Sequence, residues 1–501
     1  MAERIGIVGA GFSGLLSAYL LERRFGNEVE IDVWEAADRP GGRVRTTPVL
    51  EAGASYEAGV AELYDIAGNP QLRNLIRHLG LETRPLTGTP YFVVDDRVLR
   101  DDRALEGMLG RRGMDRLRRF WEAGTALRPP ADYALAGREQ DNGHPWQRRT
   151  FEDVLGDIDD PRCEWFTAMQ CHSDLATEPP RTSGLFGMDN LLIDHPGYCT
   201  MYTLTAGNEG LTSALADRVR SPVSLGTAVT EVTADEDTGL RVTLRGPARE
   251  DRGIEVDSLL VTLPPAGVRT IRWRDEHLRD AVEGHVRHHD HGTAYLRVTL
   301  LFRRRFWRRE FPEDYFVSDA FDGVTVYDQS PDDGSSGAGI QSWLIGGAAA
   351  LEYAAKPDAE IVAAVLDAMP GAAPVPDGLL VRACVDRWTG VSGVSALPGG
   401  VPLRPVSRRH CPDPRWPRLQ FIGDYLYDAT LCGAVDAVLY GVSRLEELIG
   451  ANPARTTRGA SDVFGTAPAG AGASPSSPRS AFFLDERLGC GHEPAPRESA
   501  P

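Results

Sequence analysis

The sequence RIGIVGAGFSGLL, residues 4–16, decides the fold. Its first part, residues 4–8, is apolar and short enough for a buried strand, and residues 15–24 have the apolar periodicity of a helix. Residues 29–34 then alternate between apolar and polar side chains, as a second strand would. Because strand, helix and strand follow one another directly, the pattern predicts a βαβ unit with two parallel neighbouring strands.

Three glycines fill the turn between the first strand and the helix, in the spacing Gly9-x-Gly11-x-x-Gly14. Gly9 permits a tight turn, Gly11 lets a pyrophosphate approach the backbone, and Gly14 lets the helix pack closely on the strand. Phe12 and Ser13 lie between them at the helix N-terminus, where free N–H groups and the helix dipole favour phosphate. The turn therefore predicts a dinucleotide cofactor that binds against these residues.

Glu35 stands at the end of the second strand. A carboxylate at this position can accept hydrogen bonds from both ribose hydroxyls of an adenosine, and it repels a 2′-phosphate, which disfavours NADP. The chain continues with the adjacent glycines Gly41 and Gly42, flanked by Arg39 and Arg43. These glycines bring the main chain against the cofactor a second time, so the longer FAD fits better than NAD.

The pattern E-x-x-x-R-x-G-G-R over residues 35–43 resembles the flavin-containing amine oxidase family, the monoamine, polyamine and protoporphyrinogen oxidase group. The resemblance implies an α/β fold: a Rossmann-like FAD-binding domain of the GR2 type, interleaved with an α+β substrate domain that contains a mixed sheet. The expected FAD-binding domain comprises residues 1–90, 205–290 and 400–450, and the expected substrate domain comprises residues 91–204 and 291–399.

Other segments resemble the parts of the family that contact FAD. By this resemblance, Gly53, Ala54 and Ser55 pass the flavin ring, the backbone of Val229 meets the adenine, Gly423 and Asp424 hold a ribityl hydroxyl, and Leu431, Gly433 and Ala434 begin the last helix. Asp424 stands where the family has glutamate. The N-terminal turn of the last helix is expected to point N–H groups at the flavin pyrimidine oxygen and to stabilise the anionic reduced flavin.

The expected catalytic positions depart from the family pattern. Arg297 lies nine residues before Phe306-Trp307, where family oxidases commonly have a lysine that is water-bridged to flavin N5. Arginine does not lose its proton at ordinary pH, so the role of that lysine is changed or lost. The alternative is that Arg297 is an ordinary strand arginine. Trp388 resembles one wall of the family's aromatic sandwich, but residues 392–395 contain no tyrosine for the second wall.

Tyr56 occupies the place where L-amino acid oxidases of the family have an arginine for the substrate carboxylate. Simple free amino acids are therefore disfavoured as substrates unless another arginine compensates. Arg297, Trp388 and Tyr56 are the catalytic candidates, and Glu57 and Tyr202 are further candidates for the pocket.

Histidines cluster just before Arg297, at positions 285, 288, 289 and 291. The sequence favours a solvated turn here, with a proton acceptor that lines the pocket as the second interpretation. A metal site is the third, but no carboxylate or thiol arrangement completes it. We therefore predict no metal.

Composition limits the partners and the location. The 501 residues carry a net charge of −18, which argues against a nucleic-acid partner. The seven cysteines form no CxxC pair and favour reduced thiols and a cytoplasmic location. No stretch reaches eighteen consecutive apolar residues, so no membrane span is expected. Residues 452–501 are rich in Ala, Pro, Gly and Ser and predict a disordered tail.

The resemblance implies FAD-dependent oxidation of a C–N bond in a small amine or amino-acid derivative, with O2 as the expected electron acceptor and H2O2 as the product. The altered pocket suggests a specialised biosynthetic role. Two alternatives stay open: a flavin-dependent C–C dehydrogenase or desaturase, and an FAD-binding isomerase or non-catalytic flavoprotein. The sequence names neither the substrate nor the oligomeric state.

Overall fold

A computed structural model describes residues 2–88, 91–138, 141, 143–235, 239–289, 291–331, 337–395 and 403–450. The predicted tail, residues 452–501, lies outside the described residues. The strands are β1 Glu3–Val8, β2 Val29–Trp34, β3 Thr46–Val49, β4 Ala54–Glu57, β5 Leu63–Ile66, β6 Thr83–Pro85, β7 Tyr91–Val94, β8 Arg97–Leu99, β9 Cys199–Leu204, β10 Val223–Ser224, β11 Ala228–Asp235, β12 Gly239–Arg245, β13 Asp251–Val256, β14 Ser258–Val261, β15 Arg272–Trp273, β16 Gly292–Thr293, β17 Tyr295–Phe302, β18 Tyr315–Ser318, β19 Val324–Asp328, β20 Gly339–Gly346, β21 Leu380–Trp388, β22 Val394–Ser395 and β23 Leu419–Phe421.

The helices are α1 Phe12–Phe25, α2 Gln71–His78, α3 Asp102–Leu127, α4 Pro130–Tyr133, α5 Phe151–Leu155, α6 Pro161–Leu175, α7 Gly184–Leu192, α8 Glu209–Ala216, α9 Pro265–Val268, α10 Glu276–His289, α11 Gly347–Ala354, α12 Asp358–Asp367, α13 Val406–His410 and α14 Leu431–Ile449. Among the described helices, none combines the length and the apolar composition that a membrane span requires.

A parallel sheet with the strand order β10-β2-β1-β14-β23 forms the first layer. Val8 at the end of β1 pairs with Trp34 of β2 on one side and with Val261 of β14 on the other. The predicted βαβ unit is therefore confirmed. Because parallel strands end at one edge of a sheet, the residues that follow β1, β2, β14 and β23 gather at that edge.

The chain changes sheets between β13 and β14. β13 pairs antiparallel with β12, whereas β14 joins the parallel sheet beside β1. β13 is mostly exposed and β14 is fully buried. Asp257 marks the break between them, and its carboxylate accepts a hydrogen bond from the Arg4 N–H at 2.8 Å.

A mixed sheet with the strand order β21-β17-β20-β19-β18-β7-β8 forms the second large unit. β7 and β8 form a hairpin, with Asp95 and Asp96 at φ 50° and 60° in its turn. One face of the sheet packs into a hydrophobic core that includes Val298 and Trp343. The other face carries Arg297 and belongs to the candidate site. The domain boundaries given above remain predictions.

Candidate functional site

The turn between β1 and α1 leaves no room for side chains. Gly9 has φ 101°, a conformation that suits glycine. A Cβ added to Gly14 would lie 1.9 Å from the Gly9 carbonyl oxygen, so the helix packs directly on the turn. Gly11 is the N-cap of α1, and no side chain caps it. The first turn of α1 can therefore offer its N–H groups to a phosphate.

The second pair of glycines lies against this turn. The Gly41 N–H donates to the Ala10 carbonyl oxygen at 2.8 Å. Gly42 has φ 58°, and a Cβ added to it would lie 3.2 Å from the Gly11 Cα. Two stretches of backbone thus run side by side without a side chain between them, which leaves both accessible to a bound pyrophosphate.

Glu35 anchors the adenosine end of the predicted cofactor site. Its Oε2 accepts a hydrogen bond from the Ala10 N–H and its Oε1 accepts one from the Ala37 N–H, both at 2.8 Å. The Thr227 N–H donates to the Glu35 carbonyl oxygen at 2.7 Å. This bond ties the start of β11, which contains Val229, to the same end of the site.

Arginines connect the second glycine pair to the C-terminal part of the chain. The Arg43 Nη2 lies 2.8 Å from Asp424 Oδ1, in the turn after β23. Arg39 donates to the carbonyl oxygens of Pro40 at 2.9 Å and Gly42 at 2.6 Å. Residues far apart in the sequence therefore meet at the edge where the parallel strands end.

Side chains cap the N-terminus of α14. The Thr430 hydroxyl accepts hydrogen bonds from the Cys432 and Gly433 N–H groups, and Asp428 Oδ1 accepts from Gly433 at 3.0 Å. Burial raises the pKa of Asp428 to about 7, although hydrogen bonds from Thr430 and Gly433 oppose the shift. Asp428 therefore caps the predicted flavin-facing turn that begins at Leu431. When Asp428 is ionised, its negative charge offsets the positive end of the helix dipole.

The three catalytic candidates form a second group at the face of the mixed sheet that is turned away from its hydrophobic core, and Arg297 and Tyr56 are buried there. Arg297 of β17 pairs in register with Asp386 of β21. The Tyr56 hydroxyl donates to Asp386 Oδ2 at 3.0 Å. The Trp388 Nε1–H donates to the Ala58 carbonyl oxygen at 2.6 Å. The segment around β4 is therefore fastened to β21, and it brings Tyr56, Trp388 and Arg297 together.

Glu57 lies beside this group and is buried. Its Oε1 accepts from the Asn208 N–H at 2.9 Å, and its Oε2 accepts from the Thr46 hydroxyl at 2.8 Å. Burial raises the pKa of Glu57 to about 7, while these hydrogen bonds and the charge of Arg297 act against the shift. Glu57 therefore changes charge near neutral pH.

Glu62, just before β5, is a second carboxylate near Arg297. The Tyr64 hydroxyl donates to its Oε1 at 3.3 Å, whereas its Oε2 is buried without a hydrogen-bond partner among the described residues. Burial raises the pKa of Glu62, and the charge of Arg297 and the hydroxyls of Tyr327 and Tyr64 oppose the shift. Glu62 thus keeps an acceptor that the chain itself does not use.

The histidine cluster is not a solvated turn, so that interpretation is wrong. His285, His288 and His289 lie on α10, and His285 and His289 are buried. The rings of His285 and His289 are 4.7 Å apart. The His285 Nε2 lies 3.2 Å from the Tyr425 hydroxyl oxygen. Their spacing of three and four residues puts them on one face of a helix that packs against the core.

The interpretation of the histidines as a metal site finds no support. Within the described part of the chain, no three His, Cys, Asp or Glu side chains are placed to hold a metal ion. Burial lowers the pKa of His285 to about 3, with further lowering by Arg404, His288 and His410. The pKa of His289 is also lowered well below its usual value by burial. The cluster is therefore neutral at physiological pH.

The remaining predicted positions are spread over both groups. Ala54 and Ser55 begin β4, and Gly53 directly precedes it. All three residues are exposed or half-exposed. Tyr202 on β9 is buried, and its ring lies 4.0 Å from the Arg73 guanidinium. Sequence reasoning missed Asp386 and Glu62. Asp386 directly precedes the Arg-Trp pair that includes Trp388. Because side chains alternate along a strand, Asp386, two residues before Trp388, could have been placed on the same face of the sheet from the sequence.

FAD fits the residues present at the first group. Two glycine backbones face each other without a Cβ, an uncapped helix N-terminus lies beside them, and a carboxylate stands at the ribose end. Gly9 to Gly14, Gly41 and Gly42 would hold the pyrophosphate, Glu35 the adenosine ribose, and Asp424 the ribityl chain.

Comparison with known proteins agrees with this geometry. The sequence-family model described as "Flavin containing amine oxidoreductase" matches residues 12–443. Prenylcysteine oxidase 1 of Rattus norvegicus is 41% identical over 86 residues, 17% of this chain and 16% of that protein. Coproporphyrinogen III oxidase of Mycobacterium bovis is 39% identical over 83 residues, 17% of this chain and 18% of that protein. The matches thus span less than a fifth of the length of these relatives.

Solved structures share the fold over nearly the whole chain. Cyclohexylamine oxidase from Brevibacterium oxydans has a TM-score of 0.70 and 20% identity, covering 90% of this chain and 100% of that one. Putrescine oxidase bound to putrescine has a TM-score of 0.70 and 18% identity, covering 90% of this chain and 99% of that one. At these identities the similarity shows the fold, and the predicted α/β fold class is confirmed.

Proposed function

The chain belongs to the flavin-containing amine oxidoreductase family, and on that premise we propose that this FAD-dependent oxidoreductase oxidises the C–N bond of a small amine. The proposed acceptor of the electrons is O2, which leaves as H2O2. A cytoplasmic location and a biosynthetic role are part of the same proposal. Its substrate is a small molecule, and neither nucleic acid nor membrane takes part.

The main support for the proposal is the contact between the predicted flavin segment and β21. The family resemblance assigns Gly53, Ala54 and Ser55 to the flavin ring. The residues that follow them are hydrogen-bonded to β21, because the Tyr56 hydroxyl donates to Asp386 and the Ala58 carbonyl oxygen accepts from Trp388. β21 lies beside β17, so a ring held along this segment would face Arg297. These contacts support the proposal that the cofactor cradle and the sheet face with the catalytic candidates form one site.

Bound FAD would supply the redox chemistry, as the acceptor of a hydride from the carbon next to nitrogen. The substrate loses this hydride from carbon and a proton from nitrogen, and the imine then takes up water and releases ammonia. Trp388 and Tyr56 would bound the substrate space, because both are fixed by hydrogen bonds to Ala58 and Asp386. Arg297 would hold negative charge near the reacting atoms without donating its proton.

Anaerobic titration of the purified flavoprotein with a panel of primary and secondary amines tests this function. We expect at least one amine to bleach the flavin absorbance, and admission of air to restore it with one H2O2 per imine hydrolysed. An absence of bleaching by every amine and amino acid in the panel would exclude amine oxidation and favour a flavoprotein without net redox chemistry.

Arginine at position 297 favours one alternative, a flavin-dependent C–C dehydrogenase, because the lysine that it replaces is dispensable in that reaction. Bleaching by an unsaturated or porphyrinogen-type substrate, with no response to amines, would support this alternative.

A further inference from the structure

A surface groove lies between α3 and the chain segment 145–159. It encloses about 510 Å³, a volume typical of sites that hold a ligand. None of its lining residues belongs to the FAD-binding or catalytic candidates described above. This surface, the α3 groove, has an apolar lining that consists of Phe120 and Leu127 of α3 with Trp146, Val154 and Ile158.

Leu127 exposes apolar surface in the α3 groove. It is the last residue of α3, and its side chain is 43% exposed. The other four apolar residues of the lining are buried. A concave apolar lining with an exposed leucine is a place where another apolar group packs.

Three arginines line the groove, and two of them are already paired. Arg116 Nη1 lies 3.1 Å from Asp159 Oδ2, and Arg149 Nη1 lies 2.6 Å from Asp157 Oδ2. Arg119 is exposed and forms no ion pair with any described residue. The groove therefore has a positive charge that the described part of the chain does not compensate.

The helix that forms one wall of the groove is strongly basic. Residues 111–119 of α3 contain five arginines and one aspartate, in a chain whose net charge is −18. This wall therefore attracts acidic groups, although the molecule as a whole repels them. The groove thus fits a partner that carries apolar side chains next to acidic ones.

The chain itself contains such a segment near its C-terminus. Phe482-Phe483-Leu484 is the one run of three large apolar residues after Gly450, and Asp485-Glu486 follow it directly. The segment lies outside the described residues. Aromatic residues are enriched at protein interfaces, so this is the part of the C-terminal sequence that is best suited to bind.

The connection between α14 and this segment is long enough to reach the groove. It comprises residues 451–481, which are rich in Ala, Gly, Pro and Ser. A linker of this length has a root-mean-square end-to-end distance of about 30 Å and a fully extended length of about 100 Å. A compact body of about 450 residues has a radius of gyration of about 22 Å. The segment can therefore reach the groove from the end of α14 without a change in the described residues.

We propose that Phe482, Phe483 and Leu484 bind in the α3 groove of their own chain, with Asp485 and Glu486 beside Arg119. The groove is then an intramolecular docking site for the C-terminal segment. This inference does not depend on the proposed function, because neither the groove nor the segment takes part in the proposed reaction.

Tethering makes a weak contact sufficient. A segment on a linker of this length has an effective concentration on the order of 1 mM. If the free peptide binds the groove with a dissociation constant of about 0.1 mM, the tethered segment fills the groove about nine-tenths of the time. A competing peptide then binds the parent about tenfold more weakly than it binds a protein whose own segment cannot dock.

Calorimetric titration with a synthetic peptide of residues 478–489 tests the proposal on the full-length holoenzyme. The parent is compared with the double variant Phe482→Asp/Phe483→Asp, whose own segment lacks its aromatic anchors. We expect the double variant to bind the peptide about tenfold more tightly than the parent does. Equal affinity for the two proteins, or no binding to the double variant at millimolar peptide, would overturn the proposal.

Variants in the groove identify where the peptide binds. In the double-variant background, Leu127→Asp should weaken peptide binding at least about tenfold, because it places a charge in the apolar lining. Arg119→Glu should weaken it about threefold or more, the scale of an exposed ion pair. Leu351→Asp and Arg112→Glu are the matched controls, because Leu351 is 50% exposed on α11 and Arg112 is exposed on α3 outside the groove. Insensitivity to Leu127→Asp, or equal sensitivity to the controls, would place the peptide elsewhere and overturn the assignment.

Hydrogen exchange of the full chain shows whether the segment binds its own molecule. We expect the amides of residues 482–486 to exchange about tenfold more slowly in the parent than in Leu127→Asp, the factor that nine-tenths occupancy allows. This difference should not depend on protein concentration. Protection that rises with concentration would assign the segment to a second copy of the chain and overturn the intramolecular assignment, and so would equal exchange in the two proteins. Because neither measurement uses turnover, failure of the proposed oxidation would leave this result unaffected.

Discussion

Replacing His285 by glutamine should make the protein more resistant to acid. His285 is 0% exposed on α10, with the ring of His289 at 4.7 Å and the ring of Phe421 at 4.8 Å. Burial and the nearby Arg404 lower its pKa from 6.5 to about 3. The folded protein therefore holds this imidazole neutral at a pH where the unfolded chain would protonate it.

The size of the effect follows from proton linkage. A group with a lowered folded-state pKa contributes its full stability above the pKa of the unfolded chain and loses it as the pH falls toward the folded value. For His285 this window runs from pH 6.5 to about 3. Within it the free energy of unfolding falls by about 1.4 kcal/mol per pH unit. Between pH 6.5 and 5 the parent should thus lose about 2 kcal/mol relative to His285→Gln.

Urea unfolding followed by tryptophan fluorescence at several pH values measures this difference. The comparison must be between variants, since buried carboxylates with raised pKa values, such as Glu57 and Asp428, shift the stability of the parent in the opposite direction. His277→Gln is the control, because His277 lies on the same helix but is exposed. We expect its pH dependence to parallel that of the parent. Parallel curves for the parent and His285→Gln would refute the reasoning.

Three further predictions concern the cofactor and the reaction. Glu35→Ala should weaken FAD binding at least about tenfold by removing a charged acceptor of ribose hydrogen bonds; equal flavin retention after dialysis would place Glu35 outside the adenosine site. Arg297→Met should slow flavin reduction or reoxidation at least about 10²-fold with FAD retained, and unchanged stopped-flow rates would make Arg297 an ordinary strand arginine. Asp428→Asn should raise the midpoint potential of the bound flavin, since it removes a negative charge at the N-terminus of α14; dye-equilibration titration measures the potential, and an unchanged value would place Asp428 away from the flavin.

Local sequence patterns were sufficient to predict the βαβ unit at the start of the chain. The glycine spacing, the strand alternation and the acidic residue after β2 all lie within the first 43 residues. These groups are close in space because they are close in sequence. The chemistry of this unit depends mostly on backbone, and backbone conformation is what glycine patterns encode.

The substrate half could not be predicted in the same way, because its contacts depend on long-range pairing. The approach of Tyr56 to Asp386 joins residues that are 330 positions apart. The histidines show a different limit. Their helical spacing was visible in the sequence, but the polarity of histidine suggested solvent exposure, and only the packing of α10 against Phe421 and Tyr425 shows that the rings are buried.

Because arginine keeps its charge, any pH dependence of ligand binding at this site comes from its carboxyl groups. A lysine beside a flavin can itself titrate, whereas an arginine side chain keeps its charge at ordinary pH. Burial raises the pKa of Glu57 to about 7, and the charge of Arg297 acts on this carboxyl group. When Glu57 takes up a proton, Arg297 loses part of its compensating negative charge and attracts an anionic group more strongly. Carboxylate ligands should therefore bind more tightly below neutral pH, for a reason that does not involve titration of the arginine.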